Sequence, residues 1–169
     1  MLQTSEVETM LLSSRLSLAD VFEARMNESY YSRFEGHRQE ADTNLVKSHM
    51  VEAHVSLDPT HDELLRLLRD LIGESGALFG DPAVVRETEE AFFFYVKVPG
   101  DSRGEQWVEF HIDASNPRFW LLHSMDKSVP VDWAISQLVS RAAGFDRAWL
   151  PVLMLPVCVA SRLVPWLGA

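Results

Sequence analysis

The sequence predicts an α+β fold in which helices pack on a small antiparallel sheet of about three to four strands. Apolar residues alternate with a period of two at 46–57 and again at 92–123, which is typical of pleated strands. The connections inside 92–123 are short and rich in turn residues, which favours antiparallel neighbours. Helical apolar spacing fills the other segments, so the predicted element order is α-α-β-α-β-β-β-α.

Four helices are predicted from capping signals and apolar spacing. The first two lie near residues 6–15 and 18–33. The third follows a capping signal at Asp58 or, as a rival, at Thr60, and it carries the broadest apolar stripe in the chain. The fourth begins at Pro130, because proline is well tolerated at the first helical position.

The predicted strands of the 92–123 region have two unlike sides. One side is apolar, and the other combines aromatic, charged and imidazole groups. The second side consists of Phe93, Tyr95, Lys97, Trp107, Glu109, His111 and Asp113. Two interpretations stay open: helices cover both sides, or the second side is an open patch for a partner or ligand, since exposed aromatic residues contribute large contact area.

Charge and cysteine content limit the class of protein. The 169 residues carry a formal net charge of -10, which argues against nucleic acid and against anionic membrane surfaces as partners. A single cysteine, Cys158, cannot form an internal disulfide and fits a reducing compartment. The first residues lack a secretion signal, so the expected location is cytoplasmic.

The leading functional prediction is a non-enzymatic protein-interaction or recognition domain, acting as an adaptor or as a subunit of a larger assembly. No phosphate loop, zinc-ligand spacing or nucleophile motif is present in the sequence, so no cofactor is predicted and an enzyme is the less favoured class. The expected partner is another protein or a second copy of the chain. The predicted interaction patch consists of Phe93, Tyr95, Trp107 and Trp166.

Two other classes stay open. A small metal-dependent or acid–base enzyme would use His54 and His111 with the nearby carboxylates of Glu52, Glu109 and Asp113, since imidazole and carboxylate are common ligands and proton carriers. Its candidate metal ligands are His54, His111 and Asp113, although no metal site is predicted from them. A nucleic-acid-associated protein would use the local basic stretch at 25–47, formed by Arg25, Arg33, Arg38 and Lys47.

The domain prediction is one α+β domain over residues 1–169. An alternative is that these residues are the N-terminal part of a larger protein. The segment 148–169 is apolar but interrupted by three prolines, so it is expected to pack on a core and not to span a membrane.

Overall fold

The computed structural model describes residues 13–34, 46–55, 58–73, 76 and 78–148. Within these residues three α-helices and six strands follow one another in the order α-β-α-β-β-β-β-α-β. The helices are α1 (Arg15–Phe34), α2 (His61–Leu68), which continues into a π-helical turn at Arg69–Gly73, and α3 (Ser128–Arg141). The strands are β1 (Lys47–Ala53), β2 (Val84–Glu87), β3 (Phe93–Pro99), β4 (Trp107–Asp113), β5 (Phe119–Ser124) and β6 (Phe145–Arg147).

The six strands form one sheet in the order β2-β3-β4-β5-β1-β6, and every neighbouring pair is antiparallel. The first strand in the chain, β1, therefore lies between β5 and β6. β2 to β5 form a meander, and the short turns within 92–123 predict its last three strands. This arrangement confirms the α+β class and the antiparallel sheet.

One side of the sheet, the core face, carries the main hydrophobic core. Alternate residues of the strands are buried there beneath α2, the π-helical turn and α3. The largest fully buried side chains on this side are Phe94, Val96, Val98, Val108, Ile112, Trp120 and Leu122, with Val51 from β1. Because most residues of the core face are apolar, this face fixes the register of the strands, and the residues of the opposite face follow from it.

Local sequence signals explain where the helices begin. Ser14 precedes α1, and its Oγ accepts a hydrogen bond from the backbone N–H of Ser17 at 3.1 Å. Thr60 and Glu63 form a capping box at α2, in which each side chain accepts a bond from the other residue's backbone N–H. Of the two predicted capping signals for this helix, Thr60 is therefore the one used.

The predicted count of three to four strands is too low. β2 was missed because only four residues pair at the sheet edge, and they lie in a stretch of mixed composition. β6 was missed because it has three residues, too few to show a period. Most of the predicted helix near 6–15 and the segment 149–169 lie outside the described residues, and the described part of 6–15 holds only the start of α1.

Among the described residues, no helix has both the length and the apolar character that crossing a bilayer requires.

Candidate binding face

The candidate site lies on the side of the sheet opposite the core face, here called the polar–aromatic face. Residues that pair directly across antiparallel strands share a face. The register pairs Phe93 with Asp113, Tyr95 with His111, Lys97 with Glu109 and Pro99 with Trp107, and it pairs His111 with His123. The sequence prediction that these side chains of β3 and β4 share one side is confirmed.

Helix α1 lies on part of this face. Leu18 is buried against Phe93, and Phe22 packs around them. The ring of Phe22 also meets the His123 imidazole edge-on, with ring centroids 5.4 Å apart. These contacts place α1 over the rows that contain Phe93, His111 and His123. A helix therefore covers this part of the face, which was one of the two interpretations left open by the sequence.

Arg15 anchors the start of α1 to the sheet. Its guanidinium binds Asp113 through Nε at 2.7 Å and through Nη2 at 2.8 Å, and it pairs with the carboxylate of Glu90. It also lies over the Phe93 ring, 5.3 Å from the centroid. Burial alone would raise the pKa of the Asp113 carboxyl, but the bonds from Arg15 and from the Ser115 backbone lower it to about 2.

His111 is the buried polar group of this face. Its side chain lies between Phe93 and Tyr95, with ring centroids 5.9 Å and 5.6 Å away, and the residue is 5% exposed. Its Nε2 has no hydrogen-bond partner among the described residues. Burial lowers the pKa of His111 to about 4, a shift that the charge of Glu109 opposes. The imidazole is therefore neutral near pH 7 and holds one unused polar atom.

Tyr95, Glu109 and Lys97 form a polar group beside His111. Burial raises the pKa of the Tyr95 phenol, and the charge and hydrogen bond of Glu109 add to the increase. The Glu109 carboxylate also pairs with the Lys97 ammonium at 3.2 Å. The Tyr95 hydroxyl therefore remains protonated and acts as a hydrogen-bond donor at neutral pH.

Trp107 is the exposed aromatic residue of this face, with 39% of its surface accessible. Val84 on the edge strand β2 is also exposed, and the register places it beside Lys97. We call the exposed surface formed by Val84, Lys97, Trp107 and Glu109 the docking strip. The contacts of α1 lie on the rows of Phe93 and His111, so the docking strip lies beside the helix and not beneath it.

The four residues of the predicted interaction patch have different environments. Phe93 and Tyr95 are buried, and Trp107 is exposed. Trp166 lies outside the described residues. The surface that the described chain offers to a partner on this face therefore includes Trp107, but it does not include the rings of Phe93 and Tyr95 while α1 is in place.

The predicted acid–base and metal set is not brought together. His54 lies just after β1, while His111 lies on β4, and strand β5 separates them. The side chain of His54 meets Asp146 at 3.3 Å, and Glu52 pairs with Arg118 at 2.7 Å. No cluster of three potential metal ligands occurs within the described part of the chain. Glu109, His111 and Asp113 do lie on one face, but the carboxylate of Asp113 is already bound by Arg15.

Half of the predicted basic stretch can be placed. Burial lowers the pKa of Lys47, and the positive charge of Arg25 lowers it further. The two cationic groups are therefore near each other. The side chain of Arg33 and the whole of Arg38 lie outside the described structure. The nucleic-acid prediction stays a prediction.

A second concave feature lies on the core-face side, where β1 meets α3. It is a cavity of about 380 Å³ lined by His49, Met50, Val51, Asp132, Ile135, Ser136, Arg147 and Ala148. Its lining combines apolar side chains with an imidazole, a carboxylate and a guanidinium. His49 Nε2 and Asp132 Oδ1 are 3.7 Å apart, too far for a hydrogen bond.

Sequence reasoning missed Arg15 and left the facing of His123 undecided. Arg15 is separated from its carboxylate partners by 75 and 98 positions, so no local pattern marks it. His123 has a weak signal: it follows Phe119 and Leu121 with a period of two, which places it on the same face as those residues.

The fold and the site together define an α+β domain with a six-stranded antiparallel sheet whose second face is shared by a helix and an exposed tryptophan. The chain belongs to the family of MJECL33-like proteins, whose sequence profile matches residues 7–162. It is similar to "Uncharacterized protein MJECL33" of Methanocaldococcus jannaschii, with 24% identity over 141 residues. That alignment covers 83% of this chain and 29% of the relative, so the chain spans less than a third of its relative's length. No solved structure matches the chain significantly.

Proposed function

We propose that this chain is a non-enzymatic recognition domain that binds a protein partner through the docking strip. The observation that carries the proposal is the exposure of Trp107 on a face where the neighbouring rings of Phe93 and Tyr95 are buried. Tryptophan is enriched among the residues that dominate binding energy at protein interfaces. A large aromatic side chain exposed at the start of an inner strand is therefore more readily explained by a partner than by folding.

The neighbours of Trp107 support the same proposal. Val84 adds apolar area on the edge strand, and the Lys97–Glu109 ion pair lies between Val84 and Trp107 in the register. The strip therefore offers a partner two apolar contacts with an ion pair between them, all within three strands. The alignment covers 83% of this chain but 29% of its relative, which fits a domain that works next to other parts of a larger protein.

The test is photo-crosslinking with a photoreactive amino acid placed at position 107. The control places it at position 129, because Val129 is 81% exposed and lies at the start of α3, away from the polar–aromatic face. We expect an adduct that depends on position 107, with a partner protein or with a second copy of the chain. Mass spectrometry identifies the crosslinked protein. A binding assay with the two purified proteins then gives the dissociation constant.

In that binding assay, Trp107→Ala is expected to weaken the complex by about 30-fold, the factor that corresponds to a loss of roughly 2 kcal/mol at an interface hot spot. Val129→Ala should leave the affinity unchanged. The proposal fails if position 107 gives no specific adduct and the chain stays monomeric over the whole concentration range. It also fails if both alanine variants bind equally well.

A further inference from the structure

Helix α1 hides a large aromatic surface while burying little of itself. Of its side chains from Arg15 to Asn27, Leu18 alone is buried. Leu16 and Met26 are 73% and 65% exposed. A helix whose stability depends on tertiary packing normally buries a continuous apolar stripe. The described part of α1 therefore has a weak apolar attachment to the sheet beneath it.

The strongest contacts of α1 are polar and lie at its first residue. Arg15 binds the carboxylates of Asp113 and Glu90 and the backbone carbonyl oxygens of Ala91 and Phe92. These groups are partly exposed to solvent, so salt screens them. Phe92 has a φ of 60°, a value that costs energy for a residue other than glycine. The backbone strain at Phe92 and the ion pairs of Arg15 therefore lie at the same place, where α1 is attached to the sheet.

The surface beneath α1 resembles an interface more than a protein core. Phe93 and Tyr95 flank His111, whose Nε2 lacks a partner in the described structure. A buried polar atom without a partner costs free energy, and a binding partner that supplied a hydrogen bond would recover it. The same strand pairing places this surface directly beside Glu109 and Trp107 of the docking strip.

We propose that α1 is a releasable cover that conceals the larger part of the docking face. When α1 detaches, Phe93, Tyr95 and His111 join Trp107 in one continuous binding surface. The partner suited to that surface is a protein segment with an apolar side and one group that hydrogen-bonds to His111 Nε2. This inference rests on the proposed function for the identity of the surface, but the release of α1 is a property of the chain alone.

The release has a direct signature in amide hydrogen exchange. Segments that open locally exchange faster than the core, because their opening costs less free energy than global unfolding. We expect the amides of residues 18–27 in α1 to exchange at least ten times faster than those of β3 and β4 in the full-length chain.

The deciding variant is Arg15→Gln, which removes the charge and keeps most of the side chain. We expect it to raise α1 exchange at least tenfold further while the exchange of β3 and β4 changes by less than twofold. The matched control is Arg25→Gln on the same helix, because no carboxylate partner of Arg25 occurs among the described residues and its charge lies near Lys47. Arg25→Gln should leave the exchange rate of α1 unchanged. Addition of 0.5 M NaCl to the wild-type chain should raise α1 exchange as Arg15→Gln does.

The cover is refuted if Arg15→Gln leaves α1 exchange at its wild-type rate. It is also refuted if α1, β3 and β4 accelerate together, since α1 would then belong to the global folding unit. Trp107→Ala separates this inference from the proposed function: it should weaken binding by the factor given above without changing α1 exchange. A chain with a releasable α1 that gives no adduct at position 107 and stays monomeric would keep the cover and remove the proposed function. An adduct at position 107 together with α1 exchange that Arg15→Gln does not change would keep the proposed function and remove the cover.

Discussion

Replacement of His111 by glutamine is expected to remove most of the loss of stability that the protein suffers between pH 7 and pH 5. Glutamine is polar and close in size to histidine, and it does not titrate. In the folded chain the pKa of His111 is about 4, while its ordinary value is 6.5. The folded state therefore binds fewer protons than the unfolded state over that interval, so its stability falls as the pH falls.

The magnitude follows from the difference between the two pKa values. A gap of 2.5 pH units corresponds to about 3 kcal/mol at most, since each unit is worth about 1.4 kcal/mol. This contribution is complete above pH 6.5 and is lost progressively as the pH falls from 6.5 to 4. Between pH 7 and pH 5 the expected loss is about 2 kcal/mol. Asp113, with a pKa of about 2 against an ordinary 3.8, acts only below that interval.

Urea unfolding monitored by tryptophan fluorescence at pH 7, 6 and 5 measures the effect. The wild-type midpoint should decrease with pH, and the His111→Gln midpoint should decrease much less. His54→Gln is the matched control, because His54 is largely exposed and its removal should preserve the wild-type dependence. If His111→Gln keeps the full pH dependence, the burial argument for this imidazole is wrong.

Two further changes test the packing of the core face. Gly100→Ala should lower the free energy of unfolding by about 1–3 kcal/mol, since an added Cβ would lie 2.7 Å from Val108 and from Pro130; a urea midpoint equal to that of wild type would contradict it. Gly80→Ala is its control, with no atom within 4 Å of the added Cβ and only a backbone cost of about 1–2 kcal/mol. Leu68→Ala should cost about 2–5 kcal/mol because its side chain is fully buried in α2, and thermal unfolding that is unchanged would exclude this packing.

The sequence predicted the elements whose patterns are local. The alternation in β3 and β4 fixed both faces correctly, because side chains in a strand point to opposite sides with a period of two. The capping box at Thr60 marked the start of α2. The short strands β2 and β6 gave no such signal, since three or four residues cannot establish a period.

The candidate site was predicted in part. Trp107, Tyr95 and His111 were singled out by residue type and facing, and the register confirms that they share one side. The sequence could not predict which of these side chains are buried and which are exposed, because that depends on where α1 lies. The proposed convergence of His54 with His111 required β1 and β4 to be neighbours, and the position of β5 between them excludes that pairing.

The sequence by itself determined the class of this protein: an acidic α+β chain with an antiparallel sheet, one apolar face and one mixed face. These properties depend on the spacing of residues along a single element, which the chain carries directly. Only the tertiary structure decided that β1 lies between β5 and β6, that Arg15 holds α1 against the ring of Phe93, and that Trp107 stays outside. Those outcomes depend on contacts between residues far apart in the chain, and no local period encodes them.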